Sequence, residues 1–328
     1  MGSFLCDALV KEGNHVICID DFSTGHVRNI ESLLRNPDFQ FLKLDISQPF
    51  DLESFPELEP FKVKFLGIQE IYHLALPTAV KGFEKYRIGA LLTNSVGTKN
   101  ILDLAVKYKS RALLTSSATV YGARDASITS GIDESEMGVI DHLNPRACFN
   151  EGKKFAETMF ATYADVYGLD CKIARIFRTF GPRMPLFQGH QIPDFILNVL
   201  EGKPIVIMGD ENSTTTLAYV TDVVDGLMRL MRAEKGIGPV NLGSDVEVKI
   251  SDVAKKIMEL TEEADVAIDY EPQAAHMVPL GLPSLAKAKE KLGWVPLVRM
   301  EDGFKKAIDY VRANKALLTN GGSNGNHA

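Results

Sequence analysis

The chain has 328 residues, of which 45% are hydrophobic and 24% charged, a composition typical of a globular protein with one large domain or a domain plus a smaller lobe. Its net charge of −7 argues against a nucleic-acid partner, because phosphate binding needs a basic surface and Lys and Arg form no basic block here.

The cysteines and the lack of long apolar segments indicate the cellular compartment of the protein. Cys6, Cys18, Cys148 and Cys171 show no CxxC spacing and no nearby pair of histidines, so we predict no metal site and free thiols in a reducing environment. There is no signal-peptide pattern and no apolar window long enough to span a bilayer. The sequence therefore predicts a cytoplasmic protein without a membrane partner, and a disordered Gly/Asn-rich tail over 321–328.

The first half of the chain alternates amphipathic helices with short apolar strands. A helix in SFLCDALVKEG ends at Gly13 and precedes strands in HVICID, FQFLKLDI and EIYHLAL. A helix in TNSVGTKNILDLAVKY, a strand in RALLTSSATVYG, a long helix in NEGKKFAETMFATYADVYG and a strand in DCKIARIF follow. Strands separated by helices at this spacing predict a doubly wound α/β fold around a parallel sheet.

The pattern loosens after residue 180, where Pro and Gly recur and the elements become shorter. Helices are predicted in DFILNVLEG, TDVVDGLMRLMRA and KISDVAKKIMELTEE. We predict a dinucleotide-binding domain over 1–180, continuing in parts of 216–250, and mainly a smaller substrate lobe over 181–320.

Several residues that end predicted strands are suited to a dinucleotide. Asp20 ends the second strand of such a fold, where an acid accepts hydrogen bonds from an adenosine ribose and favours NAD over its 2′-phosphorylated form. Asp45 and Ile46 would cap the adenine, and Leu74 and Ala75 would pass beside the phosphates. Asp20 taken alone is better explained as an acid of a surface turn, and the other signals are weak alone; only their order and spacing together favour the cofactor.

The glycine-rich turn of a dinucleotide fold is missing. Such folds begin with a strand, then G-x-x-G-x-x-G, then a helix whose N-terminus holds the pyrophosphate. This sequence begins at that helix, with Gly2 where the third glycine would fall. Loss of that central strand would cost about 1–3 kcal/mol for each buried backbone group left unpaired. We therefore expect an internal Met taken as the start, or a trimmed chain, rather than a natural loss.

The segments SSATVYG, RACFNEGKKFAETMF, RIFRTFGPRM, YVTDVVDGL, PVNLGS and KLGWVP resemble the successive motifs of extended short-chain dehydrogenases that act on nucleotide sugars. NPRACFNEGKKFAET and RIFRTFGPRM look most similar to the UDP-glucuronate decarboxylases of that family. The resemblance covers nearly the whole chain and implies a nucleotide-sugar substrate, bound NAD and a homodimer paired through helices.

The resemblance also implies a chemistry that this chain has altered. In the family, bound NAD+ oxidises the sugar at C4, the β-keto acid loses CO2, and NADH reduces the ketone again. The base is a Tyr four residues before a Lys on one helix face. Here the Lys is Lys153, but the Tyr position is Phe149, whose ring cannot carry a proton. Loss of general acid–base catalysis typically removes about 10²–10⁴-fold in rate.

Other positions depart from the family at the sugar and the diphosphate. Ser117 matches the residue that hydrogen-bonds the sugar hydroxyl, but Thr119 stands where the decarboxylases carry a Glu. Arg178 replaces an Asn at the diphosphate, Thr215 replaces an Arg near the sugar carboxylate, and His190 lies where another Arg is expected.

Arg178 and Arg183 remain as anion contacts or, equally, as partners in salt bridges. HMVPLGLPSL is apolar where the family carries Arg and Lys, and Trp294 in KLGWVP is read as a core residue.

These observations define the predicted site and leave three functions open. The predicted catalytic positions are Ser117, Lys153, Phe149 and Thr119, the cofactor positions are Gly2, Asp20, Asp45, Ile46, Leu74, Ala75, Asn94 and Lys153, and the substrate positions are Arg178, Arg183, His190 and Thr215. The first function is a UDP-glucuronate decarboxylase-like enzyme with impaired or altered hydride chemistry, in which NAD binding is weakened or lost. The second is a redox-neutral cyclisation, elimination or isomerisation of an apolar molecule, and the third is a non-catalytic partner of an active homologue.

Overall fold

The computed structural model describes residues 1–122, 130–262, 266–272 and 281–320. Within them the helices are α1 Gly2–Lys11, α2 Val63–Leu66, α3 Arg87–Leu92, α4 Thr98–Tyr108, α5 Ala147–Tyr167, α6 Gln191–Leu200, α7 Val220–Arg232, α8 Ile250–Thr261, α9 Ala286–Leu292 and α10 Met300–Asn320. The strands are β1 Val16–Asp20, β2 Phe39–Lys43, β3 Glu70–His73, β4 Arg111–Ser117, β5 Cys171–Ile176, β6 Thr179–Phe180, β7 Ile205–Met208, β8 Thr214–Thr216, β9 Ala218–Tyr219, β10 Pro239–Leu242, β11 Glu247–Lys249 and β12 Ile268–Glu271.

The main sheet confirms the predicted α/β fold. Four parallel strands run in the order β3–β4–β5–β10, and β1 and β2 form a separate parallel pair. Every strand and helix predicted from the sequence is present. The shorter strands pair as β6–β9, β7–β12 and β8–β11. The division into two domains near residue 180 stays a prediction.

A gap separates β1 from β3. Among the described residues, β1 pairs with β2 alone and β3 with β4 alone, so the facing edges of β1 and β3 have no strand between them. On one side, Leu5 of α1 packs with α7; on the other, Ile101 of α4 shares a cluster with Ile17 and Ile71. The gap is therefore covered by helices on both faces, at the position where the sequence predicts a missing central strand.

The long helix α5 carries the central part of the predicted site. It follows Pro145 and Arg146, and it ends at Gly168, whose φ of +65° suits a left-handed cap. Ala156 and Phe160 are fully buried on its inner face, in a cluster that includes Leu114 of β4. This packing fixes the rotation of α5 and turns Phe149 and Lys153 toward the carboxyl end of β4.

The C-terminal helix α10 was not predicted. Its Phe304, Ala307 and Ile308 are buried in the cluster that also holds residues of α6 and α8. Trp294 is confirmed as a core residue, 1% exposed, and its Nε1 donates to the Asp222 carbonyl at 2.9 Å.

The predicted disordered tail 321–328, and residues 276–280 of the apolar segment HMVPLGLPSL, lie outside the described residues. No helix in the described part of the chain is long and apolar enough to cross a membrane.

Candidate functional site

One large cavity, of about 1650 Å³, opens at the carboxyl ends of β1, β3 and β4 and extends into the gap between β1 and β3. Every predicted site residue except Asn94 lines it: Gly2, Asp20, Asp45, Ile46, Leu74, Ala75, Ser117, Thr119, Phe149, Lys153, Arg178, Arg183, His190 and Thr215. Carboxyl ends of parallel strands are where open α/β sheets bind ligands. The structure thus places the predicted cofactor and substrate residues around a single space.

Asn94 lies behind this cavity. It is fully buried in a π-helical turn over Thr93–Gly97, where its Nδ2 donates to the Ala90 carbonyl at 3.0 Å and its Oδ1 has no hydrogen-bond partner. Gly152 of α5 lies against it, since a Cβ at Gly152 would come 2.6 Å from Asn94 Nδ2. In this arrangement Asn94 supports α5 rather than lining the cavity.

Lys153 is a buried cation at the centre of the site. It is 3% exposed, and its Nζ donates to the Thr115 carbonyl of β4 at 2.7 Å. Burial lowers the pKa of Lys153 to about 8, and the Glu157 carboxylate opposes this effect. That carboxylate is itself held by Arg175 at 2.8 Å. The Thr115 carbonyl therefore fixes the position of the Lys153 ammonium group, but the nearby carboxylate offsets only part of the cost of burying its charge. A buried, incompletely neutralised cation is typical of a residue that binds a ligand.

The sequence interpretation missed His73, which lies beside Lys153 in the cavity wall. Its Nε2 is 3.1 Å from Thr98 Oγ1, and burial together with the Lys153 charge lowers its pKa to about 3. The ring is therefore neutral at pH 7. The available signal was a titratable residue within the apolar strand EIYHLAL.

Ser117 and Thr119 form the turn at the end of β4. The Thr119 backbone N–H donates to Ser117 Oγ at 3.3 Å, which caps the 3₁₀ turn Ala118–Tyr121. Thr119 Oγ1 is buried without a hydrogen-bond partner. Because residue 119 is a threonine, it supplies no carboxylate to the site. Its hydroxyl is free to form a hydrogen bond with a ligand.

Phe149 lies next to a second residue that the sequence interpretation missed. The guanidinium of Arg146 is 5.8 Å from the centroid of the Phe149 ring and 5.2 Å from that of Phe83. Its Nη1 is buried without a hydrogen-bond partner, and burial lowers its pKa. The signal in the sequence was the spacing of three between Arg146 and Phe149, which places both on one side of a helix start.

The two arginines predicted as anion contacts differ. Arg183 forms an ion pair with Asp7 of α1 at 2.6 Å and lies 4.6 Å from the Phe4 ring centroid, so it takes the salt-bridge alternative. Arg178 donates from Nη1 to the neutral Gln191 Oε1 at 2.5 Å, and no carboxylate pairs with it among the described residues. Burial lowers the pKa of Arg178.

At the β1 end, two predicted acids form local turns. Asp20 accepts the Phe22 N–H on Oδ1 at 2.8 Å, and its Oδ2 makes no hydrogen bond among the described residues. Asp45 accepts the Ser47 N–H at 2.8 Å, and the neighbouring Ile46 is buried. Both side chains serve their turns and still leave an oxygen for a ligand.

Thr215 of β8 is buried, and its Oγ1 donates to the Thr216 carbonyl at 3.4 Å.

All four cysteines are free thiols. The described residues contain no group of three or more His, Cys, Asp or Glu side chains that would hold a metal ion.

The described residues offer contacts for several parts of NAD. Lys153 and Ser117, predicted for the cofactor and for the sugar, line the cavity beside β4, and Asp20, predicted for the adenosine ribose, keeps Oδ2 for a ligand at the end of β1. For the pyrophosphate, the described residues offer the N-terminus of α1 at Gly2 and Ser3. The chemistry of these residues fits NAD.

Known proteins are similar to this chain in sequence and in fold. UDP-glucuronic acid decarboxylase 1 of Xenopus tropicalis is 35% identical over 312 residues, which are 95% of this chain and 70% of that protein. UDP-glucuronic acid decarboxylase 6 of Arabidopsis thaliana is 33% identical over 305 residues, 93% of this chain and 83% of the relative.

Among solved structures, an epimerase of Methanothermobacter thermautotrophicus matches with a TM-score of 0.83 and 26% identity, over 97% of this chain and 91% of the other. A tyrosine-to-phenylalanine mutant of UDP-glucuronic acid 4-epimerase from Bacillus cereus, in complex with UDP-4-deoxy-4-fluoro-glucuronic acid and NAD, matches with a TM-score of 0.78 and 24% identity, over 95% of this chain and 96% of the other.

The family model of GDP-mannose 4,6 dehydratase matches residues 1–307. Together with the decarboxylase relatives, this match shows that the chain belongs to the GDP-mannose 4,6 dehydratase family of NAD-dependent epimerases and dehydratases that act on nucleotide sugars.

Proposed function

We propose that this chain is a nucleotide-sugar enzyme that binds NAD and a UDP-sugar acid in the cavity at the carboxyl ends of β1, β3 and β4, with impaired or altered hydride chemistry. The observation that carries the proposal is the convergence of the predicted cofactor and sugar residues on one cavity around Lys153. The cavity wall includes both the residues predicted for the cofactor and those predicted for the sugar, which supports a cofactor and a substrate side by side.

The site residues that match the family, Lys153 and Ser117, can bind and orient the ligands, but the site lacks the family's proton acceptor. NAD, when bound, would supply the redox chemistry at the sugar. Lys153 would hold the nicotinamide ribose, and Ser117 would hydrogen-bond the sugar hydroxyl. Phe149 offers no proton acceptor at the place of the family's tyrosine, so the first proton transfer needs a water or does not occur. We therefore expect binding of both ligands with decarboxylation strongly slowed.

The relatives support the ligand classes. The relatives found by sequence, from Xenopus tropicalis and Arabidopsis thaliana, are named for UDP-glucuronic acid decarboxylation, and the Bacillus cereus epimerase mutant is a complex with NAD and a UDP-sugar acid.

Titration of the purified protein tests the proposal. NADH binding is followed by fluorescence and UDP-glucuronate binding by calorimetry, with Lys153→Met as the variant expected to lose NADH affinity and Lys99→Met, on the exposed surface of α4, as the control. Sugar products are followed by NMR. Binding of both ligands with slow or no loss of CO2 is expected.

Failure of the wild-type protein to bind either NADH or UDP-glucuronate would refute the proposal. Binding of an apolar compound in their place would favour the redox-neutral alternative. Co-purification with an intact homologue that turns over UDP-glucuronate would favour the non-catalytic partner.

We also propose that the protein is a homodimer. Apolar side chains are exposed along α3 and its continuation into α4, and on the neighbouring face of α5: Ile88, Leu91, Leu92, Val96, Phe155, Val166 and Tyr167. Exposed apolar side chains concentrated on neighbouring helices are typical of a subunit interface. Light scattering on the eluting protein should give about 72 kDa rather than the 36.1 kDa of one chain.

A further inference from the structure

Arg146 is a cation in the cavity wall that no group among the described residues neutralises. It precedes α5, its guanidinium lies 5.2 Å from the ring centroid of Phe83 and 5.8 Å from that of Phe149, and its Nη1 is buried without a hydrogen bond. Within the described residues, no carboxylate lies at ion-pair distance from it. Aromatic faces attract a cation, but they do not satisfy its N–H donors.

A second polar atom beside Arg146 is also without a partner. His190 lines the same cavity, and its Nε2 is buried with no hydrogen bond. Burial and the nearby Arg146 charge lower the pKa of His190 to about 4, so its ring is neutral at pH 7 and can donate one N–H. Two unsatisfied polar groups in one wall call for a ligand, because buried donors in folded proteins nearly always have partners.

The chemistry of the missing partner follows from the position. The guanidinium fork matches the two oxygens of a carboxylate, and a neutral imidazole N–H adds a third donor. Phe149 marks the sugar end of the cavity, since it stands four residues before Lys153 on α5. The residues expected to meet a sugar carboxylate there, at positions 119 and 215, are both threonines.

We propose that Arg146, assisted by His190, is the binding site for the carboxylate of the sugar acid, and that this contact sets the preference for an acidic over a neutral nucleotide sugar. The proposal rests on the function proposed above. It assigns the carboxylate to Arg146 beside Phe149 and leaves Arg178, near Gln191, for the diphosphate.

The test compares two ligands that differ only at C6 of the sugar. Calorimetry measures UDP-glucuronate and UDP-glucose binding to the wild type, to Arg146→Met and to the matched variant Arg178→Met. A charged hydrogen-bonded contact is typically worth about 10- to 100-fold in affinity, so the wild type should prefer UDP-glucuronate by about that factor. Arg146→Met should lose the preference and keep its affinity for UDP-glucose. Arg178→Met should weaken both ligands by the same factor and keep the preference.

Thermal unfolding without ligand separates binding from structure. Removing an uncompensated cation should leave the melting temperature of Arg146→Met unchanged or raise it. A clearly lowered melting temperature would make Arg146 a structural residue and overturn the proposal, as would an unchanged preference for the acid in Arg146→Met. Equal wild-type affinity for the two ligands would overturn this inference alone. No binding of either would overturn the proposed function and this inference with it.

Discussion

Lys153 allows a quantitative test of how the site is built. Its ammonium group is 3% exposed and has one hydrogen bond, to the Thr115 carbonyl, and burial lowers its pKa from 10.5 to about 8. At about 1.4 kcal/mol for each tenfold change in proton affinity, holding the charged form inside the folded protein costs about 3 kcal/mol. Substitution by Met removes this cost and the hydrogen bond together.

The pH dependence identifies the cause. The pKa of Lys153 is lower in the folded state, so below pH 8 both states are charged and the folded state carries the full cost. Between pH 8 and 10.5 the folded state loses its proton first, the unfolded state binds more protons, and stability rises with pH. Above 10.5 both states are neutral and the cost is gone. The variant also lacks the hydrogen bond to the Thr115 carbonyl. This loss lowers its free energy of unfolding by about 1 kcal/mol at every pH.

The assay is urea unfolding of the wild type and Lys153→Met in parallel from pH 7 to 10.5. The difference in free energy of unfolding between the two proteins cancels the titration of all other groups. At pH 7 the variant should be more stable than the wild type by about 2 kcal/mol. Between pH 7 and 10.5 the wild type should gain about 3 kcal/mol relative to the variant. A difference that stays constant with pH would show that Lys153 is not buried as a cation, and the reasoning would fail.

Three further substitutions probe the site and its support. Phe149→Tyr alone should not restore decarboxylation of UDP-glucuronate, since Thr119 and Thr215 also stand where the decarboxylases carry a Glu and an Arg. Rapid UDP-xylose formation, followed by NMR, would show that the pocket is otherwise intact. Gly152→Ala should lower the free energy of unfolding by about 1–3 kcal/mol, because its Cβ would lie 2.6 Å from Asn94 Nδ2. Urea unfolding compares the variant with the wild type, and an unchanged free energy of unfolding would contradict the packing of Gly152 against Asn94. Ile88→Asp should convert the dimer to a monomer in light scattering, and an unchanged mass would exclude α3 from the interface.

The sequence determined most elements of the first half of the chain and the spacing within them. Apolar periodicity fixed α4, α5 and α7, and Gly168 fixed the end of α5, because these signals act over a few neighbouring residues. The spacing of four between Phe149 and Lys153 placed both on one helix face. The same local reasoning missed α10, whose polar surface weakens its periodic signal and whose stability comes from packing against α6 and α8.

The tertiary structure decided which polar groups have partners. Arg183 pairs with Asp7, 176 residues away in the chain, whereas Arg146 and His190 have no partner for one nitrogen each. The burial of Lys153 likewise depends on how distant segments pack. A sequence shows where charges lie along the chain, but their desolvation and pairing arise only when remote segments meet, and these set the chemistry of the cavity.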